Sequence, residues 1–279
     1  MFRSRVVIRD LAIILGVILL STGVTIGLYH LLIPKGTPEV ANDMSLDWEK
    51  KLKALLKDQV ARESTIIRKA PVTRAMSVIM ERLTAYDTNL PARPEIIVID
   101  SPIVNAYTFP GGMIVVTSAL IRDAANAEET AAVLAHELGH VAHRDPLALI
   151  IRQTGLAVLM AVVSGGNTTI IHDIVRQAVN SHYSKQQENA ADEYSCALLI
   201  KAGIHPKHSA AFFRKLKSRY SRTAEKILEP LATHPATERR IANAERWAKQ
   251  FRGSERALPI DWEAVRKSVP SAFDERSSR

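Results

Sequence analysis

Apolar positions along this chain change their spacing three times. From Leu11 to Ile33 they are nearly continuous: LAIILGVILLSTGVTIGLYHLLI runs 23 residues without Asp, Glu, Lys or Arg. At 1.5 Å per residue a helix of that run reaches roughly 34 Å, enough for a bilayer core of about 30 Å. From Ser45 onward most apolar residues recur at helical spacing. Ser45 can cap a helix carrying Trp48, Leu52, Leu55 and Leu56. Pro71 suits a helix start ahead of Val72, Ala75, Met76, Ile79 and Leu83, with Met76 and Met80 as gap-filling core residues. Two stretches, Glu95–Asp100 (EIIVID) and Met113–Thr117 (MIVVT), are short and β-branched, and predict strands. Pro110-Gly111-Gly112 between them marks a turn.

The expected fold is mainly α with a small β-sheet, an α+β domain behind one transmembrane helix. Residues 1–10 form an amino-terminal segment, 11–33 the anchor and 34–45 a linker with Gly36, Pro38 and Asn42. Residues 46–252 form the folded domain and 253–279 a tail. One segment, Leu147–Val163, is apolar over 17 residues but holds Arg152 and Gln153. It is expected to be a helix that packs on the domain or lies in a membrane interface.

Arg3, Arg5 and Arg9 precede the apolar run against a single Asp10, whereas acidic residues and later lysines follow it. That bias favours a cytoplasmic amino terminus, so the domain is expected to face the periplasm from a bacterial inner membrane. The alternatives are a periplasmic protein released by signal cleavage, or an organelle inner membrane. Against cleavage, the run exceeds an ordinary signal core and no A-x-A-like site follows it. A single cysteine, Cys196, excludes a disulfide framework and cysteine-rich zinc sites. The net charge of +8 is dispersed and only 5% of residues are aromatic, so no nucleic-acid partner is expected.

The chemistry concentrates in His136-Glu137-Leu138-Gly139-His140, within the helical context AEETAAVLAHELGHVAHR. Asn126 can cap that helix, with Glu129 three residues on as in a capping box. Residues four apart differ by about 40° around a helix and lie about 6 Å apart along it, so His136 and His140 can close on one zinc ion. Glu137 then points toward the reacting site, where a carboxylate can take a proton from water and return it to a leaving amine. His143 shares the face but lies a further turn along, where a straight helix cannot bring a third ring to one ion. Glu188, in YSKQQENAADEYSCALLIKAG, is the better third ligand. Asp192, four residues on and sharing its face, would accept the free ring N–H of His136. Small Ala190 and Ala191 permit close helix packing.

With these residues in place the sequence resembles the membrane-associated zinc metalloproteases of the CAAX prenyl protease and the heat-shock protease HtpX. Asn105-Ala106-Tyr107 with Pro110-Gly111-Gly112 resembles that family's N-A-[FY]-x-x-P-G-G strand. HELGH is its zinc helix. Tyr183-Ser184 through Glu188 and Asp192 resembles Y-S-R-x-x-E-x-x-A-D, and His234-Pro235 through Arg240-Ile241 resembles H-P-x-x-x-x-R-I. Lys185 departs from the usual Arg, and the absence of further transmembrane helices puts the chain nearer a single-anchor or periplasmic branch.

The resemblance implies a zincin-type endopeptidase with one zinc per chain. Its expected role is quality control of unfolded or damaged exported and membrane proteins. It implies that Arg240 stabilises the oxyanion. His234 would hydrogen-bond the oxyanion, hold the zinc at rest, or merely begin a helix. The N-A-[FY]-x-x-P-G-G match puts Asn105, Gly111 and Gly112 at the substrate cleft. The strand after it suggests peptide binding by strand addition, with Met113 and Val115 among the contacts. The competing class is a chaperone-like client-binding protein that keeps a metal site without catalysis.

Overall fold

The computed structural model describes residues 23, 41, 44–87, 89–165, 168–180, 182–222, 234 and 237–270. The apolar run 11–33, apart from residue 23, lies outside them. Among the described residues no single helix is long and apolar enough to cross a membrane.

Helices α1 (Leu46–Glu63) and α2 (Ala70–Thr84) precede the sheet. Ser45 caps α1 by accepting from the Trp48 N–H at 3.3 Å, and Pro71 sits in the first turn of α2. Three strands follow: β1 (Glu95–Ile99), β2 (Ala106–Phe109) and β3 (Met113–Thr117), in the order β1-β3-β2. β3 pairs parallel with β1 and antiparallel with β2, so both of its edges are taken. Residues 106–109 look like connection in the sequence because four residues are too few to show a period. In the fold all four are buried.

Side chains of a strand alternate between faces, and here the alternation divides the core. Ile114 and Val116 face a cluster containing α2 and the zinc-ligand helices, with Leu120, Leu134, Leu138 and Leu199. Met113 and Val115 face a second cluster with Leu52, Leu56, Leu147 and Leu159. A sheet covered on both faces needs apolar residues throughout its central strand, which is why MIVVT reads without polar interruption.

The remaining helices are α3 (Ser118–Asp123), α4 (Ala127–Ala142), α5 (Asp145–Thr154), α6 (Leu156–Val163), α7 (Thr168–Asn180), α8 (Lys185–Ala202), α9 (Lys207–Arg222), α10 (Glu238–Ala248) and α11 (Trp262–Ser268). Two expectations need correction. Residues 147–163 are not one helix: Gly155, at φ +82°, breaks them into α5 and α6, which meet at 105°. Residues 253–270, set apart above as a tail, enter the first core cluster. Leu258, Trp262, Val265 and Val269 are buried there, and the Trp262 indole N–H donates to the Ala124 carbonyl at 3.0 Å.

Candidate metal centre

Helix α4 carries the HELGH run in its last turns and is buried along most of its length. Asn126 accepts from the Glu129 N–H at 2.8 Å, fixing its start. Helix α8 begins with a capping box in which Ser184 accepts from the Gln187 N–H while the Gln187 side chain accepts from the Ser184 N–H. The two helices cross where Gly139 meets Ala191. A Cβ on Gly139 would lie 2.8 Å from the Ala191 Cα, so the backbones approach as closely as a glycine allows.

That crossing brings His136 and His140 against Glu188. The His136 and His140 Nε2 atoms are 3.2 Å apart. Glu188 Oε2 lies 3.5 Å from the first and Oε1 lies 3.7 Å from the second. Each ring is oriented from behind. His136 Nδ1 meets Asp192 Oδ1 at 2.9 Å, and His140 Nδ1 meets Asp145 Oδ2 at 2.8 Å. A carboxylate only accepts, so both Nδ1 atoms carry the proton and both Nε2 atoms are the ones a neutral ring would offer to a metal. Two nitrogen lone pairs and a carboxylate thus converge on one point. Tetrahedral zinc with bonds of about 2.0–2.1 Å separates its nitrogen ligands by about 3.3 Å, which these distances match. The donor set fits zinc.

Burial and the neighbouring acids pull the two rings in opposite directions. Burial would lower His136, but the hydrogen bonds from Asp192 and Glu188 outweigh it and push the imidazole up to about 9. Burial would raise Glu188, yet His234 and His136 hold its carboxyl well below the ordinary range. Burial depresses His140 despite its Asp145 partner. A cation seated among these acids would displace the proton that His136 otherwise attracts.

The other expected site residues take these places. Glu137 is buried beside the cluster, and its Oε2 accepts from the Thr108 hydroxyl of β2 at 2.5 Å. His234 lies over the cluster, with Nδ1 2.6 Å from Glu188 Oε1 and 3.3 Å from His136 Nε2, and Nε2 3.8 Å from Glu137 Oε1. The four side chains His136, His140, Glu188 and His234 offer ligand atoms all within 4.8 Å of one another. Arg240 is buried behind the ligands: Nη1 meets Glu188 Oε2 at 2.8 Å, and Nε and Nη2 donate to Asp192 at 2.7 and 2.8 Å. Its guanidinium stacks on Phe213. The cation expected at an oxyanion therefore bridges two carboxylates. Asn105 lines the cavity beside His136 and Glu137.

Met113 and Val115 do not reach the site. They belong to the central strand and point into the second core cluster, so no peptide can pair with β3; the edge strand beside Glu137 is β2. Gly111 and Gly112 form a buried turn at positive φ, where the Gly111 N–H donates to Glu49 Oε1 at 2.8 Å rather than facing a cleft. His143 is exposed against Tyr194. Four contributors were missed. Asp145 is reached only through a reversal at Arg144, at φ +52°, which spacing cannot reveal. Gln187 donates to Asp145 at 2.8 Å, Tyr183 stacks on His140 with ring centroids 4.0 Å apart, and Thr108 holds Glu137. The Gln at the third helical position of α8 and the tyrosine of the Y-S-R-like segment are the signals the sequence offers.

Comparison with known proteins bears on the same residues. The model of peptidase family M48 matches residues 72–248, which include every ligand. The chain belongs to peptidase family M48. Among M48 relatives, the beta-barrel assembly-enhancing protease of Escherichia coli K12 is 28% identical over 210 residues, covering 70% of this chain and 42% of that protein. The mitochondrial metalloendopeptidase OMA1 of Schizosaccharomyces pombe is 25% identical over 240 residues, covering 84% of this chain and 71% of its own length. The metalloprotease YcaL of E. coli K12 is 34% identical over 122 residues, 41% of this chain and 48% of YcaL. The chain thus spans less than half the length of the first of these. As a member of peptidase family M48, the chain has its zinc site in His136, His140 and Glu188.

Proposed function

We propose that this chain is a zinc-dependent endopeptidase that cleaves unfolded or damaged exported and membrane proteins, working from an anchor at residues 11–33. The observation that carries the hydrolytic reading is the meeting of the His136 and His140 Nε2 atoms and the Glu188 carboxylate beside Glu137. Zinc held there supplies a Lewis acid that acidifies water and polarises a carbonyl. Glu137 takes the proton of the attacking water and passes it to the leaving amine. Thr108 fixes which Glu137 oxygen is free, because its hydroxyl occupies Oε2. Asp192 and Asp145 hold the ligand tautomers, and Arg240 positions Asp192 and Glu188 together.

An extended substrate pairs with the outer edge of β2. The Thr117 N–H donates to the Asn105 carbonyl, and Tyr107 stands opposite Val115. By antiparallel alternation, Ala106 and Thr108 turn their backbone groups away from β3, where the Asn105 side-chain oxygen accepts from the Ala106 N–H at 2.9 Å. Main-chain pairing of this kind selects unfolded segments over particular sequences. The charge asymmetry about residues 11–33 supports an inner-membrane protein with the catalytic domain in the periplasm.

Glu137→Gln tests the catalytic reading. The variant is expected to retain one zinc by elemental analysis and to lose casein cleavage; undiminished cleavage would refute the assigned base. Chelator-sensitive cleavage by the wild type separates this reading from a client-binding protein, which would show none. A second reading concerns His234, whose Nδ1 lies within reach of Glu188 and His136. If it rests on the metal, His234→Ala raises turnover. If it assists the oxyanion, the same change lowers it.

A further inference from the structure

We propose that helix α6 (Leu156–Val163) lies in the interfacial layer of a lipid bilayer and holds the catalytic domain against the membrane surface. The inference rests on the reading that residues 11–33 anchor the chain. Every residue of α6 is apolar: LAVLMAVV. Leu159 and Val162 account for its inward side in the second core cluster. Ala157, Val158, Met160 and Ala161 are left exposed, Val158 at 40% and Met160 at 42%. Among the described residues the exposed large hydrophobics are Leu46, Tyr86, Ile103, Val158 and Met160. Three of these five fall on α1 and α6, which pack on each other. Isolated apolar residues at a surface need no explanation, but a concentration of them marks a contact.

The path of the chain selects lipid as the occupant. Ala41 is fully buried in the same cluster as Leu159 and Val162. It follows Ile33 by eight residues, and eight extended residues reach at most about 28 Å. The carboxyl end of the apolar run is therefore tethered close to the cluster that α6 covers. A bilayer entered by that run lies within reach of α6 without any further partner. The half-buried Trp48 of the adjoining α1 suits the headgroup region, and Arg152, exposed four residues before α6, offers a cation to phosphates. The helix is eight residues long, about 12 Å, against a hydrocarbon core of about 30 Å, so it lies on the membrane instead of crossing it. The 105° bend at Gly155 turns it off the buried α5.

The test uses the full chain in phosphatidylglycerol–phosphatidylcholine vesicles with a nitroxide at Met160→Cys, and a control label at exposed Lys249→Cys. Cys196 stays unlabelled, since burial with Asp192 and Glu193 pushes its thiol up to about 12. Flotation of the protein with vesicles after an alkaline wash reports the anchor separately. The expected result is flotation of both variants, with the label at 160 relaxed more by oxygen than by a water-soluble nickel chelate, and the reverse at 249. Flotation with a water-like label at 160 overturns the proposal and leaves the anchor standing. A label at 160 shielded from both relaxants indicates a protein contact, such as a second copy, and also overturns it. Loss of flotation in both variants sinks the anchor reading and this one with it.

Discussion

Replacing Gly139 by alanine adds a single methyl at the crossing of the two ligand helices. The new Cβ would lie 2.8 Å from the Ala191 Cα, 3.0 Å from its carbonyl oxygen and 3.2 Å from its Cβ. Carbon atoms rest at about 3.5–4.0 Å, so α4 and α8 must part by roughly 0.7 Å. The obstacle is backbone and cannot rotate aside. Overpacking of this kind costs about 1–3 kcal/mol, while the better helix propensity of alanine returns up to about 1 kcal/mol. Net stability should therefore fall by about 0–3 kcal/mol. The metal site has less tolerance, because ligand positions hold to about ±0.2 Å. His140 adjoins Gly139 and Glu188 lies three residues before Ala191, so the separation opens the ligand set directly. Misplacement on the scale of 1 Å can reduce rate about 100-fold. We expect zinc affinity, measured by chelator competition, and casein turnover each to fall about 10- to 100-fold, with a modest loss in thermal melting. Unchanged zinc affinity and turnover in Gly139→Ala would refute the claim that this contact sets the ligand geometry.

Removing the carboxylates behind the rings, as Asp145→Asn or Asp192→Asn, should weaken zinc binding by about 10- to 100-fold while the ligands remain; isothermal competition with a chelator checks it. Glu49 and Arg144 form a buried ion pair at 2.6 Å. Glu49→Ala should destabilise the fold by about 3–5 kcal/mol in urea, and pairing it with Arg144→Met should recover part of the loss. Trp262→Ala should cost about 3–5 kcal/mol, and a melting temperature equal to wild type would deny the carboxyl-terminal helix its place in the core. Thr108→Val should lower turnover without lowering zinc content, measured by steady-state kinetics beside elemental analysis.

Much of the site could be read from the sequence because helical spacing is metric. His136, Glu137 and His140 stand on one helix, so their relation follows from 3.6 residues per turn, as does that of Glu188 to Asp192. What spacing cannot supply is contact between elements. Asp145 returns to His140 only because the chain reverses at Arg144, and Thr108 meets Glu137 only because β2 borders α4. The strand error has the same origin: MIVVT looks like a binding edge in isolation, but its uniform apolarity reflects burial on both faces. The short AYTF segment, lacking any period, is the edge strand beside Glu137. Arg240 was placed near the chemistry by resemblance, and its guanidinium turned out to be engaged with the two acidic side chains of α8.

That guanidinium has a bearing on biogenesis. Arg240 stays charged, since burial is outweighed by Asp192 and Glu188, and it balances two acids that would otherwise repel within the interior. The helices carrying the donors are packed into the first core cluster through Leu134, Leu138, Leu198 and Leu199, so the fold is expected to form without the ion, unlike a zinc finger. Protein stripped by a chelator is expected to keep its circular dichroism and to regain activity on adding zinc, with no refolding step between.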